Sequence, residues 1–260
     1  MKEASGNFPV SVDLEAAIAA RKVLAIIPAY NEEKNISRVI QGIRRFSPSL
    51  DILVVDDCSA DRTAAVAMEE GAEVISLPFN LGYGVACQTG FKYAVGKKYD
   101  LAVQIDGDGQ HDPSYINALL KEVFDGTVDV AIGSRFLGKS AYRAPLLRKL
   151  GMFLFGIIAS VLIGQRVTDP TSGFQALNSK VLRFFAQEVY PVDYPDADVL
   201  VLLHYARFKI REMPVRMYEN VDKSMHKGLK SFYYVFKMVL SILVTMLSKR
   251  HILRKVTRPQ

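Results

Sequence analysis

The chain has 260 residues, 50% hydrophobic and 23% charged, with 17 Gly, 11 Pro, 2 Cys and no Trp, which suits one large domain with a full apolar core. That balance excludes a disordered chain, a collagen-like repeat and a disulfide scaffold. The net charge of +6 is uneven, because residues 223–260 carry nine Lys/Arg and no Asp or Glu, leaving residues 1–222 with 24 basic against 27 acidic side chains.

The N-terminal residues lack an apolar run, so no signal peptide is expected. Short apolar runs at 23–28, 52–55, 74–77, 101–105 and 128–132 read as strands buried on both faces. Between the first four and after them, 34–46, 62–70, 84–95 and 113–124 read as amphipathic helices. Strand alternating with helix predicts an α/β domain with a mostly parallel sheet, whose ligands gather at the carboxyl ends of the strands.

Polar residues follow each strand: Tyr30-Asn31-Glu32-Glu33 after the first, Asp56 to Asp61 after the second, Asn80-Leu81-Gly82-Tyr83-Gly84 after the third, and Asp106-Gly107-Asp108-Gly109-Gln110-His111 after the fourth. Further on, 144–164 is a long apolar stretch and 168–174 a dense turn signal. A helix at 196–207, a strand at 209–217 and a last helix at 229–247 complete the reading.

Asp106 and Asp108 are alternate residues leaving one strand end, a spacing that brings two carboxylates to one hard cation, with the Gln110 side chain supplying a neutral oxygen. The alternative is a plain Asp/Gly surface turn. Asp56 and Asp57 suit contact with a ribose or base edge, while Asp61 suits capping of the next helix. Cys58 has no neighbouring cation to activate its thiol, and two cysteines without zinc spacing point to a reducing compartment. Gly82-Tyr83-Gly84 lacks the third glycine of a dinucleotide fingerprint, which argues against a dehydrogenase. His111 reads equally as metal ligand, substrate contact or helix start. Arg135, beyond the fifth strand, is placed to meet phosphate, its alternative being a solvated surface cation.

Taken together, these motifs resemble family 2 glycosyltransferases. Ile27-Pro28-Ala29-Tyr30-Asn31-Glu32, the run 56–63, Asn80-Leu81-Gly82 with Gly84, the run 106–113, Gly133-Ser134-Arg135 and the run 169–175 fall in that family's order. The acidic motif is similar to that of polyprenyl-phosphate sugar transferases. The resemblance implies a single GT-A-type domain over 1–222 and a basic, amphipathic membrane-interface tail over 223–260. It assigns nucleotide-sugar binding to Pro28, Tyr30, Glu32, Asp57, Gly82, Asp106 and Gly107, and Mg²⁺ or Mn²⁺ to Asp106, Asp108 and Gln110. It places Asp108 and Arg135 in catalysis and Asp169, Thr171, Ser172 and Gly173 around the acceptor. The implied reaction is inverting displacement of a nucleoside diphosphate from the anomeric carbon by a polyprenyl phosphate or a saccharide hydroxyl.

Two departures from the resemblance bear on mechanism. Where hydroxyl-glycosylating relatives carry a Glu-Asp base, this chain reads Tyr194-Pro195-Asp196-Ala197-Asp198, so Asp196 or Asp198 is the candidate base, with helix capping by Asp196 the alternative. The chain also shows no clear spanning helix: residues 232–247 are 16, with Lys237 among them, against roughly 20 needed to cross a bilayer. Apolar residues flanked by Lys249-Arg250 and Arg254-Lys255 suit a helix lying on an anionic cytoplasmic leaflet, with 144–164 beside it and a small membrane protein as a further partner; the alternative is core or oligomer packing. Nucleic acid is not expected, since no recognition motif accompanies the basic residues. A nucleotidyltransferase would need a basic Gly-rich loop after the first strand, and a silent binding module would not need the acidic motif.

Overall fold

The computed structural model describes residues 16–18, 20–137, 146–191, 195–218, 229–249 and 252–253. The start of the predicted 144–164 helix, Tyr194, and residues 223–228, 250–251 and 254–260 of the basic tail lie outside the described residues.

Seven strands form one sheet: β1 Val23–Ala29, β2 Asp51–Asp56, β3 Glu73–Ser76, β4 Leu101–Gln104, β5 Val130–Ser134, β6 Gln175–Asn178 and β7 Ile210–Pro214. Their spatial order is β3-β2-β1-β4-β6-β5-β7. All neighbouring pairs are parallel except the two made by β6, which runs antiparallel to both β4 and β5. The helices are α1 Ile36–Phe46, α2 Thr63–Glu69, α3 Tyr83–Gly96, α4 Ile116–Phe124, α5 Leu146–Ile163, α6 Ser179–Phe185, α7 Ala197–Tyr205 and α8 Leu229–Leu247.

Strand β1 shows why the sheet sits at the centre. Successive side chains point to opposite faces, and Leu24 and Ile26 enter one apolar cluster while Val23, Ala25, Ile27 and Ala29 enter the other. On the second face α1 buries Ile36, Val39, Ile40 and Ile43, the spacing of one helical stripe. On the first, α3 approaches so closely that a Cβ at Gly90 would lie 2.3 Å from Ile26 Cγ2. Helix α7 is buried on the same side, with α5 and α8 packed against it.

Strand β3 departs from the reading of strands buried on both faces: it is the sheet edge, and its ends Glu73 and Ser76 are exposed. Strand β6 and helix α6 were not expected. They follow the 168–174 turn, and β6 is held on both sides by ladders to β4 and β5.

Candidate active site

The parallel strands deliver their carboxyl ends to one edge, where hydrogen bonds between loops build a continuous surface. Asn31, in the left-handed region that Asn tolerates (φ 55°), takes the Ser59 hydroxyl on its N–H at 2.9 Å and accepts from Ala60 N at 2.8 Å. Glu32 N donates to Thr63 Oγ1 at 2.7 Å, and the Glu32 carboxylate accepts from Asn35 Nδ2 at 2.8 Å. Asp61, one residue before the N-cap Arg62, accepts from Thr63 N at 3.0 Å in a local turn that leads into α2. Tyr30 stands half-exposed at the rim.

Asp57 is buried, and both its oxygens are engaged: Leu81 N donates to Oδ1 at 2.8 Å and Gly82 N to Oδ2 at 2.9 Å. It therefore fixes the loop that opens α3. Gly82 has φ 95° and ψ 161°, a conformation essentially closed to residues with a Cβ. Asp56 accepts from Ser59 N at 3.3 Å.

Beyond β4 the chain crosses β1. Gly107 N donates to Pro28 O at 3.3 Å, and a Cβ there would stand 3.2 Å from that oxygen; Pro28 and Gly107 thus meet through backbone. Asp106 Oδ1 accepts from Tyr83 OH at 2.7 Å. His111 Nδ1 accepts from Asp106 N at 3.2 Å, which leaves Nε2, 3.7 Å from Asp106 Oδ2, as the donor nitrogen. The His111 ring stacks on Phe174 with centroids 5.0 Å apart.

Gln110 engages Asp108. Its backbone N donates to Asp108 Oδ1 at 2.9 Å and its side-chain amide donates to Asp108 Oδ2, so it holds the second carboxylate in place. Burial first, and the neighbouring Asp106 charge second, push the Asp108 carboxyl above its ordinary pKa. Two adjoining carboxylates with hard oxygen donors fit Mg²⁺ or Mn²⁺. Among the described residues no group of three or more His, Cys, Asp or Glu is gathered for a metal, so a cation on Asp106 and Asp108 would complete its shell with phosphate oxygens and water. Beside this turn opens a cavity of about 510 Å³ bordered by Arg38, Arg45 and Arg216. None of the three meets a carboxylate among the described residues.

Arg135 and Asp169 form a buried ion pair. Arg135 Nε donates to Asp169 Oδ2 at 2.7 Å and Nη2 to Asp169 Oδ1 at 2.6 Å, with Thr171 Oγ1 also at 2.6 Å from Nη2. Both residues are buried. A buried guanidinium needs a carboxylate partner, so this pair answers its own charges, and Asp169 is an internal anchor of the 168–174 turn. Glu212 of β7 accepts from Asp169 N at 2.8 Å and braces the same turn. Ser172 Oγ bonds Gly133 O. Gly173 lies against the acidic motif: its Cβ would stand 2.3 Å from Tyr83 OH and 3.0 Å from Asp106 Oδ1.

Asp196 stands at the N-terminus of α7 without a side-chain cap bond. Asp198 performs that role, its Oδ1 accepting from Asp196 N and Val199 N, each at 2.9 Å. Its Oδ2 accepts from Ser241 Oγ of α8, and burial pushes its pKa up to about 6. With both oxygens engaged inside the core, Asp198 is an anchor, and Asp196 is the more accessible of the two. Sequence reasoning missed Tyr83, Gln104, Glu212 and Ser241, each of which acts through a partner distant in the chain.

A family model described as "Glycosyl transferase family 2" matches residues 24–185. A polyprenol monophosphomannose synthase of Mycolicibacterium smegmatis is 32% identical, over 70% of this chain and 69% of its own. A UDP-N-acetylglucosamine–dolichyl-phosphate N-acetylglucosaminyltransferase of Methanococcus voltae is 28% identical, over 81% of this chain and 91% of its own. In fold, the chain matches glucosyl-3-phosphoglycerate synthase of Mycobacterium tuberculosis, solved with Mn²⁺, UDP and glucosyl-3-phosphoglycerate. There the TM-score is 0.68 at 21% identity, covering 91% of this chain and 82% of that one.

Proposed function

The chain belongs to glycosyl transferase family 2, and from that premise we propose that it transfers a sugar from a nucleoside diphosphate sugar to a polyprenyl phosphate. The observation that carries this reading is the Asp106–Asp108 pair, held at the carboxyl edge by Tyr83, His111 and Gln110 and bordered by the Gly173 turn. The polyprenyl- and dolichyl-phosphate transferases among its relatives support the acceptor class.

In this reading Tyr30 and the loop locked by Asp57 receive the nucleoside, and Asp106 and Asp108 hold Mg²⁺ or Mn²⁺. That cation, when bound, neutralises charge developing on the leaving diphosphate. The acceptor phosphate oxygen bonds to the anomeric carbon as the bond from that carbon to the diphosphate oxygen breaks, and the nucleoside diphosphate departs. A phosphate is already anionic and needs no general base, which agrees with an Asp198 whose oxygens are both engaged. Transfer to a saccharide hydroxyl is the second reading, favoured by Asp196 at the start of α7; it requires Asp196 as base.

Membrane attachment forms part of the proposal. Among the described residues no helix is long and apolar enough to cross a membrane. Helix α8, however, exposes Val239, Leu240, Leu243, Val244 and Leu247 along one side while burying Ile242 and Thr245. With the basic residues of 223–260, that stripe suits a helix lying in the interface of an anionic cytoplasmic leaflet, beside which a small membrane protein is a further candidate partner.

The test is a panel of nucleotide sugars with Mg²⁺ or Mn²⁺, with and without undecaprenyl or dolichyl phosphate in vesicles. Labelled sugar is expected in the lipid phase from one donor, with release of nucleoside diphosphate. Asp108→Ala is expected to abolish transfer while the melting temperature is kept, and Asp196→Asn to leave it intact. Label appearing only on a saccharide, and lost in Asp196→Asn, would replace this reading with the second.

A further inference from the structure

The Tyr83 hydroxyl is the centre of a hydrogen-bonded chain that crosses three elements. Gln175 Nε2 of β6 donates to Gln104 Oε1 of β4 at 3.4 Å, Gln104 Nε2 donates to Tyr83 OH at 2.8 Å, and Tyr83 OH lies 2.7 Å from Asp106 Oδ1. Both glutamines are buried. A hydroxyl has one proton to donate. Because Gln104 approaches the Tyr83 oxygen as a donor, the phenolic proton is directed at the carboxylate. The chain thus has a direction, running from the antiparallel strand to the acidic motif.

The neighbouring backbone leaves room for this contact at one place. A Cβ on Gly173 would stand 2.3 Å from Tyr83 OH and 3.0 Å from Asp106 Oδ1. The closest turn of the 168–174 segment therefore carries no side chain where the tyrosine and the aspartate meet. On the other side of Asp106, His111 Nε2 faces Oδ2. Asp106 thus accepts a hydrogen bond from Tyr83 on one oxygen and has the His111 ring near the other.

We propose that Tyr83, oriented by Gln104, is a positioning residue for the divalent cation: it fixes the Asp106 carboxylate so that its remaining lone pairs face the donor diphosphate. This rests on the reading of Asp106 and Asp108 as the cation-holding pair. Outer partners of ligating groups set ligand orientation, and their loss typically costs about 10–100-fold in metal affinity. Tyr83→Phe removes one buried oxygen, which frees Asp106 to rotate and takes from the Gln104 amide its acceptor, a loss that lowers stability without removing the fold.

Mn²⁺ retention, followed by the electron paramagnetic resonance of free Mn²⁺ with and without the nucleoside diphosphate product, tests this. Tyr83→Phe is expected to weaken Mn²⁺ binding by about tenfold while keeping a cooperative, if lowered, melting transition. The Mn²⁺ concentration for half-maximal turnover should rise by the same factor, with kcat recovered at saturating Mn²⁺. Gly173→Ala, by displacing the tyrosine, should reproduce the Mn²⁺ defect. Asp108→Asn separates the two levels of the argument. If wild type and Asp108→Asn retain Mn²⁺ equally, the cation site itself is refuted. If Asp108→Asn loses Mn²⁺ while Tyr83→Phe matches wild type, the positioning role is overturned. A lower kcat in Tyr83→Phe that saturating Mn²⁺ does not recover would also overturn it.

Discussion

Replacing Asp198 by Asn should make the protein more stable above pH 6 and leave it unchanged near pH 4. The buried carboxyl has its pKa pushed up from 3.8 to about 6, burial being the main cause. The folded state therefore binds a proton more tightly than the unfolded chain, and stability falls as pH rises between those values. A shift of roughly two units at about 1.4 kcal/mol each gives a penalty of about 3 kcal/mol, absent below pH 4 and complete above pH 6. Asn keeps the volume and an Oδ1 that can accept from Asp196 N and Val199 N. It loses the stronger bonds a charged acceptor makes, so the net gain expected at pH 8 is about 2 kcal/mol.

The groups facing Asp198 define the control. Ser241 of α8 donates to Oδ2 and favours the charged form, while Tyr190, whose phenol is held up chiefly by burial, provides no cation. Ser241→Ala should therefore raise the Asp198 pKa further and steepen the loss of stability with pH. Thermal melting at pH values from 4 to 8 reads both effects, at roughly 2–4 °C per kcal/mol for a chain of this size. Melting curves of wild type and Asp198→Asn that run parallel across that range would refute the argument, as would an Asn variant less stable at pH 8.

Three other outcomes follow from packing and charge. Asp169→Ala strands the Arg135 guanidinium in the core and should cost about 3–5 kcal/mol by denaturant titration, whereas Arg135→Met with Asp169→Leu should recover most of that loss. Gly90→Ala places a methyl 2.3 Å from Ile26 Cγ2 and should destabilise by about 1–3 kcal/mol through overpacking. Leu243→Glu with Leu247→Glu, on the exposed stripe of α8, should abolish flotation with anionic vesicles and leave the melting temperature within a degree or two.

What could be read in advance, and what could not, divides by whether the decisive partner is local. The first strand was legible because seven consecutive residues are buried, and a run buried on both faces needs no knowledge of its neighbours. The bounds of α8 were equally legible, since nothing between 229 and 247 interrupts a helix. Strand β6 was not: Gln175-Ala176-Leu177-Asn178 is short, has polar ends and follows a turn signal. It is a strand because β4 and β5 present unpaired edges on either side of it. The same holds for charge. Arg135 at the end of β5 reads as a phosphate-facing cation, and only the fold shows that Asp169, 34 residues on, meets it. Asp57 reads as a ligand contact, and only the fold shows that two N–H groups of the next loop bond it.

Tyr83 is the sharpest instance, because Gly82 and Gly84 are weighed against a dinucleotide fingerprint and the tyrosine between them carries no motif of its own. Its role depends on a side-chain proton whose direction is set by Gln104 and, through it, by Gln175, residues that sequence places 21 and 92 positions away. The acidic motif was visible in the sequence because two carboxylates one residue apart act through local geometry. The groups that aim those carboxylates arrive from α3, β6 and the turn before it, so they become visible only once the sheet has brought its non-consecutive strands together.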